Sequence, residues 1–260
     1  AAKQAAADLA GELGDPARAV RLRAEAAALQ RRFQELFWCE DLGLYAIALD
    51  GQKLPCRVAS SNAAHALWGG IASQAHADRI AHRLFDADLF SGWGLRTIGS
   101  GQARYNPMSY HNGSIWPHDN AMACVGLARY GHTDAAVRML DAMFEASLQF
   151  DAHRLPELFC GFPRRASEGP TRYPVACSPQ AWASATVFSM LQACLGLECD
   201  AIGRQVVLRS PRLPAFLNWL EIHGLEVGEA KVDLLLQRYR NNVGVEVIGK
   251  QGEVAVRVLV

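Results

Sequence analysis

The sequence has no surplus of charge: its 26 lysines and arginines are matched by 26 aspartates and glutamates, for a net charge of zero. Without a basic excess it has no means of gathering phosphates, so neither nucleic acid nor an anionic membrane is an expected partner. No apolar run approaches the roughly 20 residues that span a bilayer. Ala1 to Gly14 carries an amphipathic helical pattern, not the charged, apolar, small-residue layout of a secretory signal. The chain opens on alanine, which is expected of a trimmed or partial protein. It contains no P-loop, no Gly-x-Gly-x-x-Gly fingerprint, no His-Glu-x-x-His and no Ser-His-Asp order, and no cofactor is implied. Its seven cysteines, at 39, 56, 124, 160, 177, 194 and 199, form no Cys-x-x-Cys pair, and Cys194 and Cys199 are too isolated to frame a zinc site. No metal site is expected. An odd number of thiols, mostly in apolar surroundings, reads as buried free cysteines of a reducing, cytoplasmic location.

What the sequence does have is helical punctuation. Lys3–Leu13 ends at Gly14, and Asp15-Pro16 restarts a helix that runs to about Phe37. Further helices are predicted over 61–68, 73–84, 117–130, 133–150 and from Ser178-Pro179 to near Gly196, making about seven, mostly paired through short turns. Tyr45–Leu49 reads as a short strand. Two long irregular stretches, 85–116 and 151–177, interrupt the helices, and loops of this length in a compact domain are usually functional. After Ile202 the pattern becomes alternating and β-branched, at 206–209, 217–227, 231–239, 243–248 and 253–260, which predicts a small antiparallel β-appendage. The expected division is 1–202 and 203–260.

The first long loop ends in the stretch that organises the chain. Tyr105–Asn120 holds two tyrosines, a tryptophan, two histidines, an aspartate and three asparagines in sixteen positions. Gly113 and the two prolines forbid a helix before Pro117, which fits a first helical position. Rings that stack on the apolar faces of a sugar, beside Asn, His and Asp groups that take its hydroxyls, suit a neutral polyol. In the second loop Glu157 stands in Arg154-Leu155-Pro156-Glu157-Leu158-Phe159, a carboxylate among apolar neighbours. Such a setting either raises its pKa or holds it as a base toward water; a plain charge at a helical turn is the alternative. Asp119 reads equally as a first-turn carboxylate favoured by the helix dipole. His111 and His118 are candidate acids or hydroxyl partners, and Glu40 and Asp41 in the first polar loop are further candidates.

Six stretches together resemble the C-terminal region of bacterial amylo-α-1,6-glucosidase-like, glycogen-debranching-type proteins. They are Phe37–Ala46, Ser61–Trp68, Gly92–Thr97, Tyr105–Asn120, Leu155–Gly161 and Ser178–Ala183, in order along nearly the whole chain. The resemblance implies an all-α fold of the (α/α)6 toroid type, of which this chain would be about the C-terminal half, with the β-appendage behind it. It implies inverting hydrolysis of an α-glucosidic bond in an α-glucan or oligosaccharide, with Glu157 as the general base. The general acid would lie upstream of Ala1, in the missing half of the barrel. Trp93, Tyr110, His111, Asn112, Trp116, His118 and Asp119 would shape the glucose subsite, with Arg96 a hydroxyl or carboxylate partner. Two other readings stay open: a sugar epimerase or isomerase of the same toroid using His111 or His118, and a non-catalytic carbohydrate-binding module.

Overall fold

A computed structural model describes residues 1–240 and 242–260. The chain begins with a hairpin of α1 (Ala2–Glu12) and α2 (Pro16–Phe37), which meet through Ala7, Ala10 and Ala19. Asp15 caps α2 by accepting the Arg18 N–H at 3.0 Å, and Pro16 takes the first turn, where its missing N–H is no loss. Beyond α2 come two short antiparallel ladders. β1 (Trp38–Cys39) pairs with β2 (Leu44–Tyr45), and β3 (Ala48–Leu49) pairs with β4 (Pro55–Cys56). The single strand predicted over Tyr45–Leu49 is therefore split, because Ala46 N–H turns back to the Phe37 carbonyl at 2.7 Å while Ile47 N–H joins Cys56.

The helical layer continues with α3 (Asn62–Trp68), α4 (Gln74–Arg83), α5 (Pro117–Arg129), α6 (Thr133–Ser147) and α7 (Ala181–Leu195). Helix α5 is the hub, packed against α3, α6 and α7. Gly126 allows its closest approach: a Cβ there would lie 2.7 Å from both Leu67 Cβ and the Trp68 amide nitrogen of α3. The core gathers round this crossing, with Leu67, Ile80, Leu84, Leu127, Met139, Met143 and Met190 buried. Helix α6 stops three residues before the predicted Phe150, giving way to a 3-10 turn at Asp151–His153. Helix α7 starts three residues later than predicted and ends on Gly196 in the left-handed conformation.

Strands β5 (Leu197–Asp200), β6 (Gln205–Arg209), β7 (Trp219–Val227), β8 (Ala230–Tyr239), β9 (Asn242–Gln251) and β10 (Ala255–Leu259) complete the chain. They form two three-stranded sheets in the orders β10-β6-β5 and β7-β8-β9. Val206, Leu208, Leu213, Val232, Leu234 and Leu236 make a second core, which Leu195 at the end of α7 joins. Alternate residues of β8 (Ala230, Val232, Leu234 and Leu236) face inward, as one buried sheet face requires.

The all-α toroid expected from the sequence is not what the chain forms. It is a mixed α and β structure, 37% helix and 23% strand, with four sheets among the described residues. The β portion is also more than an antiparallel appendage. It begins at Leu197, inside the first predicted unit, and β10 runs parallel to β6 from Ala255 opposite Gln205 to Leu259 opposite Arg209. Alternating hydrophobicity reports that a strand has one buried face, but it does not encode which neighbour the strand pairs with. Of the thiols expected to be buried, Cys39, Cys124, Cys160 and Cys194 are, while Cys177 and Cys199 are exposed.

The two long loops are not loose. Single bridges run Phe90–Leu95, Arg96–Ile115, Ile115–Phe159 and Phe159–Arg172, stitching both loops into one irregular ladder. Ile115 and Phe159 exchange both backbone hydrogen bonds, at 2.9 and 3.0 Å. This ladder decides where the polar residues come together.

Candidate active site

Three contacts fix the loop that precedes α5. Asn120, fully buried in the first turn, accepts the Leu95 N–H at 2.6 Å and donates to the Trp116 carbonyl at 2.9 Å. Trp116 is buried with its indole N–H shared between the Tyr110 carbonyl at 3.1 Å and Ser114 Oγ at 3.0 Å. Gly161 of the second loop passes against Gly113 so closely that a Cβ at 161 would sit 1.7 Å from the Gly113 carbonyl oxygen. Only a residue without a side chain permits that crossing.

The crossing brings Glu157 to Tyr110. The tyrosine hydroxyl donates to Glu157 Oε1 at 2.7 Å, and the other oxygen accepts the Cys177 N–H at 3.3 Å. Glu157 is half-buried and held below the ordinary carboxylate range, first by Tyr110 and then, against the opposing effect of burial, by the Cys177 amide, Gln180 and the His118 charge. The same bond pushes Tyr110 up to about 12, so the tyrosine stays a donor throughout the neutral range.

Around this pair lies an aromatic wall. Tyr110 meets Trp116 edge-on at 4.8 Å and Tyr173 at 5.7 Å, and His111 lies parallel to Trp116 at 6.2 Å. His118 stacks on Trp182 at 4.1 Å and meets Trp116 edge-on at 5.6 Å. Burial lowers the pKa of His118; Asp119 and Glu157 pull it up and His65 pushes it down. Asp119 is buried and hydrogen-bonded through Oδ1 to His65 Nε2 of α3. Its other oxygen, together with His118 Nδ1 and Gln180 Oε1, is buried without a hydrogen-bond partner.

Tyr110, His111, Trp116, His118, Asp119 and Glu157 thus converge, and Asn112 lies in the same loop, its carbonyl accepting the Asn106 N–H at 2.8 Å. Arg96 and Trp93 are placed differently. Arg96 is 2% exposed, with Nε on the Gly161 carbonyl at 2.6 Å and Nη1 on the carbonyls of Ala87 and Asp88, both at 3.0 Å. Trp93 is buried beneath the Arg164 guanidinium, 4.2 Å from its ring, and lines a cleft with Phe162 and Pro163. Glu40 and Asp41 are occupied elsewhere. Glu40 accepts from Arg79 at 2.7 Å and from Trp38 Nε1 at 2.7 Å, and Asp41 is paired with Arg57.

His65, Gln180, Trp182 and Tyr173 are the members that residue-by-residue reading did not single out. Three of them lie inside stretches noted for their resemblance, Ser61–Trp68 and Ser178–Ala183, but nothing local marks a helical histidine or a tryptophan in a first turn as facing a site some 50 residues away in sequence.

Comparison with known proteins bears on this arrangement. Residues 1–159, which include Glu157, match the mannosylglycerate hydrolase MGH1-like glycoside hydrolase domain. No curated protein sequence is matched. Among solved structures, the GH63 mannosylglycerate hydrolase from Thermus thermophilus is 19% identical with a TM-score of 0.57, over 73% of this chain and 42% of that one. The same hydrolase is similar, with a TM-score of 0.53, in a complex with glucose. A GH78 rhamnosidase of Bacillus sp. GL1 is 18% identical with a TM-score of 0.66, over 99% of this chain and 25% of that one. A sialidase is 14% identical with a TM-score of 0.68, over 94% and 24%. At these identities the likeness is one of fold, and the chain spans less than half the length of each.

Proposed function

Because the chain belongs to the MGH1-like glycoside hydrolase family, we propose that it supplies the base-bearing part of a glycosidase. The reading is inverting hydrolysis of α-glucosidic bonds, 1,6-linked, in glycogen-like or oligosaccharide substrates. Residues 1–202 would carry the site and 203–260 would be a β-rich companion. The observation that supports it best is the state of Glu157: a carboxylate kept ionised by a tyrosine donor, in a partly open position beside Trp116, His118 and Trp182. A carboxylate held low suits a base rather than an acid. The glucose complex of a structurally similar GH63 hydrolase is in keeping with a glucose-sized ligand.

In this mechanism Glu157 takes a proton from water as the water oxygen bonds to the anomeric carbon. The bond to the leaving oxygen breaks on the opposite face, and that oxygen receives a proton from a second carboxylic acid, about 6.5–9.5 Å from the first. We assign that acid to a segment outside residues 1–260. His118 and Asp119 would hold ring hydroxyls.

The test is Glu157→Gln in the complete enzyme. It keeps the shape but removes the proton acceptor, so turnover should fall about 10²–10⁴-fold while substrate binding survives. Azide added to Glu157→Ala should restore turnover and give a β-glycosyl azide. Wild-type turnover in Glu157→Gln would show that another carboxylate is the base.

A further inference from the structure

We propose that His65 is a positioning residue of this site: it pins the buried Asp119 at the first turn of α5 and thereby fixes the adjacent His118 against Trp182, facing Glu157. The proposal rests on the glycosidase reading for its kinetic consequence, though not for its geometry.

The first argument is the contact itself. Asp119 is 5% exposed and its Oδ1 is bonded to His65 Nε2, a link between α3 and α5 across 54 residues of sequence. Its Oδ2 has no partner. A buried carboxylate with one oxygen unpaired has a single anchor, so its orientation depends on the imidazole that holds it. Neutral His65 can make this bond only as the tautomer that carries its proton on Nε2.

The second argument is what stands next to Asp119. His118 precedes it in the same helical turn, so a rotation of that turn moves both. The His118 ring is fixed by stacking alone, on Trp182 at 4.1 Å and edge-on to Trp116 at 5.6 Å, and its Nδ1 has no hydrogen-bond partner. The charged or titratable groups that act on it are Asp119, His65 and Glu157. His65 thus sits one residue removed from the wall of the site, and a third of its own side chain stays accessible.

Close packing of α3 on α5 makes the arrangement stiff. Leu67 and Trp68, within one helical turn of His65, form the contact against Gly126. The imidazole therefore reaches Asp119 from a fixed platform rather than from a loop.

The experiment compares His65→Ala with His65→Gln, whose side-chain amide can still donate to Asp119. In the complete enzyme His65→Ala should lose about 100-fold in kcat/KM, the cost of an ångström-scale misplacement, along with some stability, because the buried Asp119 carboxylate is left without a partner. His65→Gln should recover most of that loss. Adding Asp119→Asn to His65→Ala should cost far less than it does alone, because the two act as one unit. In parallel, NMR of the folded chain should show the contact between the His118 and Trp182 rings disturbed in His65→Ala, where the Asp119 carboxylate loses its anchor, and restored in His65→Gln, whose amide still donates to it. Unchanged kcat/KM in His65→Ala, additive losses in the double variant, or an undisturbed His118–Trp182 contact would each overturn the proposal. If the wild-type protein cleaves no glycoside, the functional reading fails, and the NMR comparison alone still decides the role of His65.

Discussion

Tyr110 Oη donates to Glu157 Oε1 at 2.7 Å, joining two loops 47 residues apart in the sequence. Both partners are shaped by it: the acid is held below its ordinary value of 4.5 and the phenol is pushed up to about 12. If Glu157 is a base, this bond sets the lowest pH at which it works.

Tyr110→Phe removes the donor and leaves the ring. The Glu157 pKa should then move back up toward 4.5. A base must be ionised to act, so the acid limb of kcat/KM should shift to higher pH, while turnover near neutrality, where the carboxylate is ionised in both proteins, changes little for this reason. A pH profile of the two enzymes tests it, and superimposable acid limbs would refute it.

Gly161→Ala tests the crossing that brings the pair together. The new Cβ would stand 1.7 Å from the Gly113 carbonyl oxygen, a backbone atom that cannot step aside. Separating the loops also strains the bonds from Arg96 Nε at 2.6 Å and Tyr105 Oη at 3.0 Å to the Gly161 carbonyl. Destabilisation of about 3 kcal/mol is expected, the upper end of ordinary overpacking, together with lost turnover. Denaturant melts would measure the first, and a fully stable Gly161→Ala protein would contradict the placement of the loops.

Arg96 gives the opposite signature. Its side chain serves three carbonyls, of Gly161, Ala87 and Asp88, and lies 2% exposed. Lysine has one nitrogen and cannot reach all three, so Arg96→Lys leaves a buried carbonyl unpaired at a cost of about 2 kcal/mol. KM for a sugar substrate should not change in proportion. A variant of undiminished stability but raised KM would return Arg96 to the role expected from its sequence, that of a substrate partner.

The helices were legible because their signals are local. Asp15-Pro16, Pro117 and Gly196 each act on the turn beside them. The resemblance assigned Glu157 and the residues of Tyr105–Asn120 to one site, and in the fold Ile115 and Phe159 of the two loops are bridge partners. What could not be read was set by distant partners. The parallel pairing of β10 with β6 depends on which edge is free after folding. Arg96 could be recognised as a polar residue but not as one enclosed by carbonyls, since the enclosure begun by Ala87 and Asp88 is completed by Gly161, 65 residues further along. His65 was hidden for the same reason.

The last prediction concerns acid stability and the knot that ties α2 to α4. Gln34 Nε2 donates to the Ile71 carbonyl at 2.6 Å, which fixes the amide, so its Oε1 receives the Tyr45 hydroxyl at 2.6 Å and His76 Nδ1 at 2.7 Å. Trp38 stacks on the imidazole at 3.7 Å. Burial, and after it the Arg79 charge, hold His76 below its ordinary 6.5, with Glu40 opposing. The folded state therefore binds fewer protons than the unfolded chain as pH falls through 6.5. The stability contributed by the neutral ring is complete above that value and is lost on further acidification toward the lowered folded value. His76→Gln cannot titrate, so its unfolding free energy should fall less steeply than that of the wild type between about pH 7.5 and 5.5. His118, lowered by burial in the same direction, is present in both proteins and cancels in the comparison. Denaturant melts across that range decide it: equal slopes would mean that His76 takes up its proton as readily in the folded protein as in the unfolded chain.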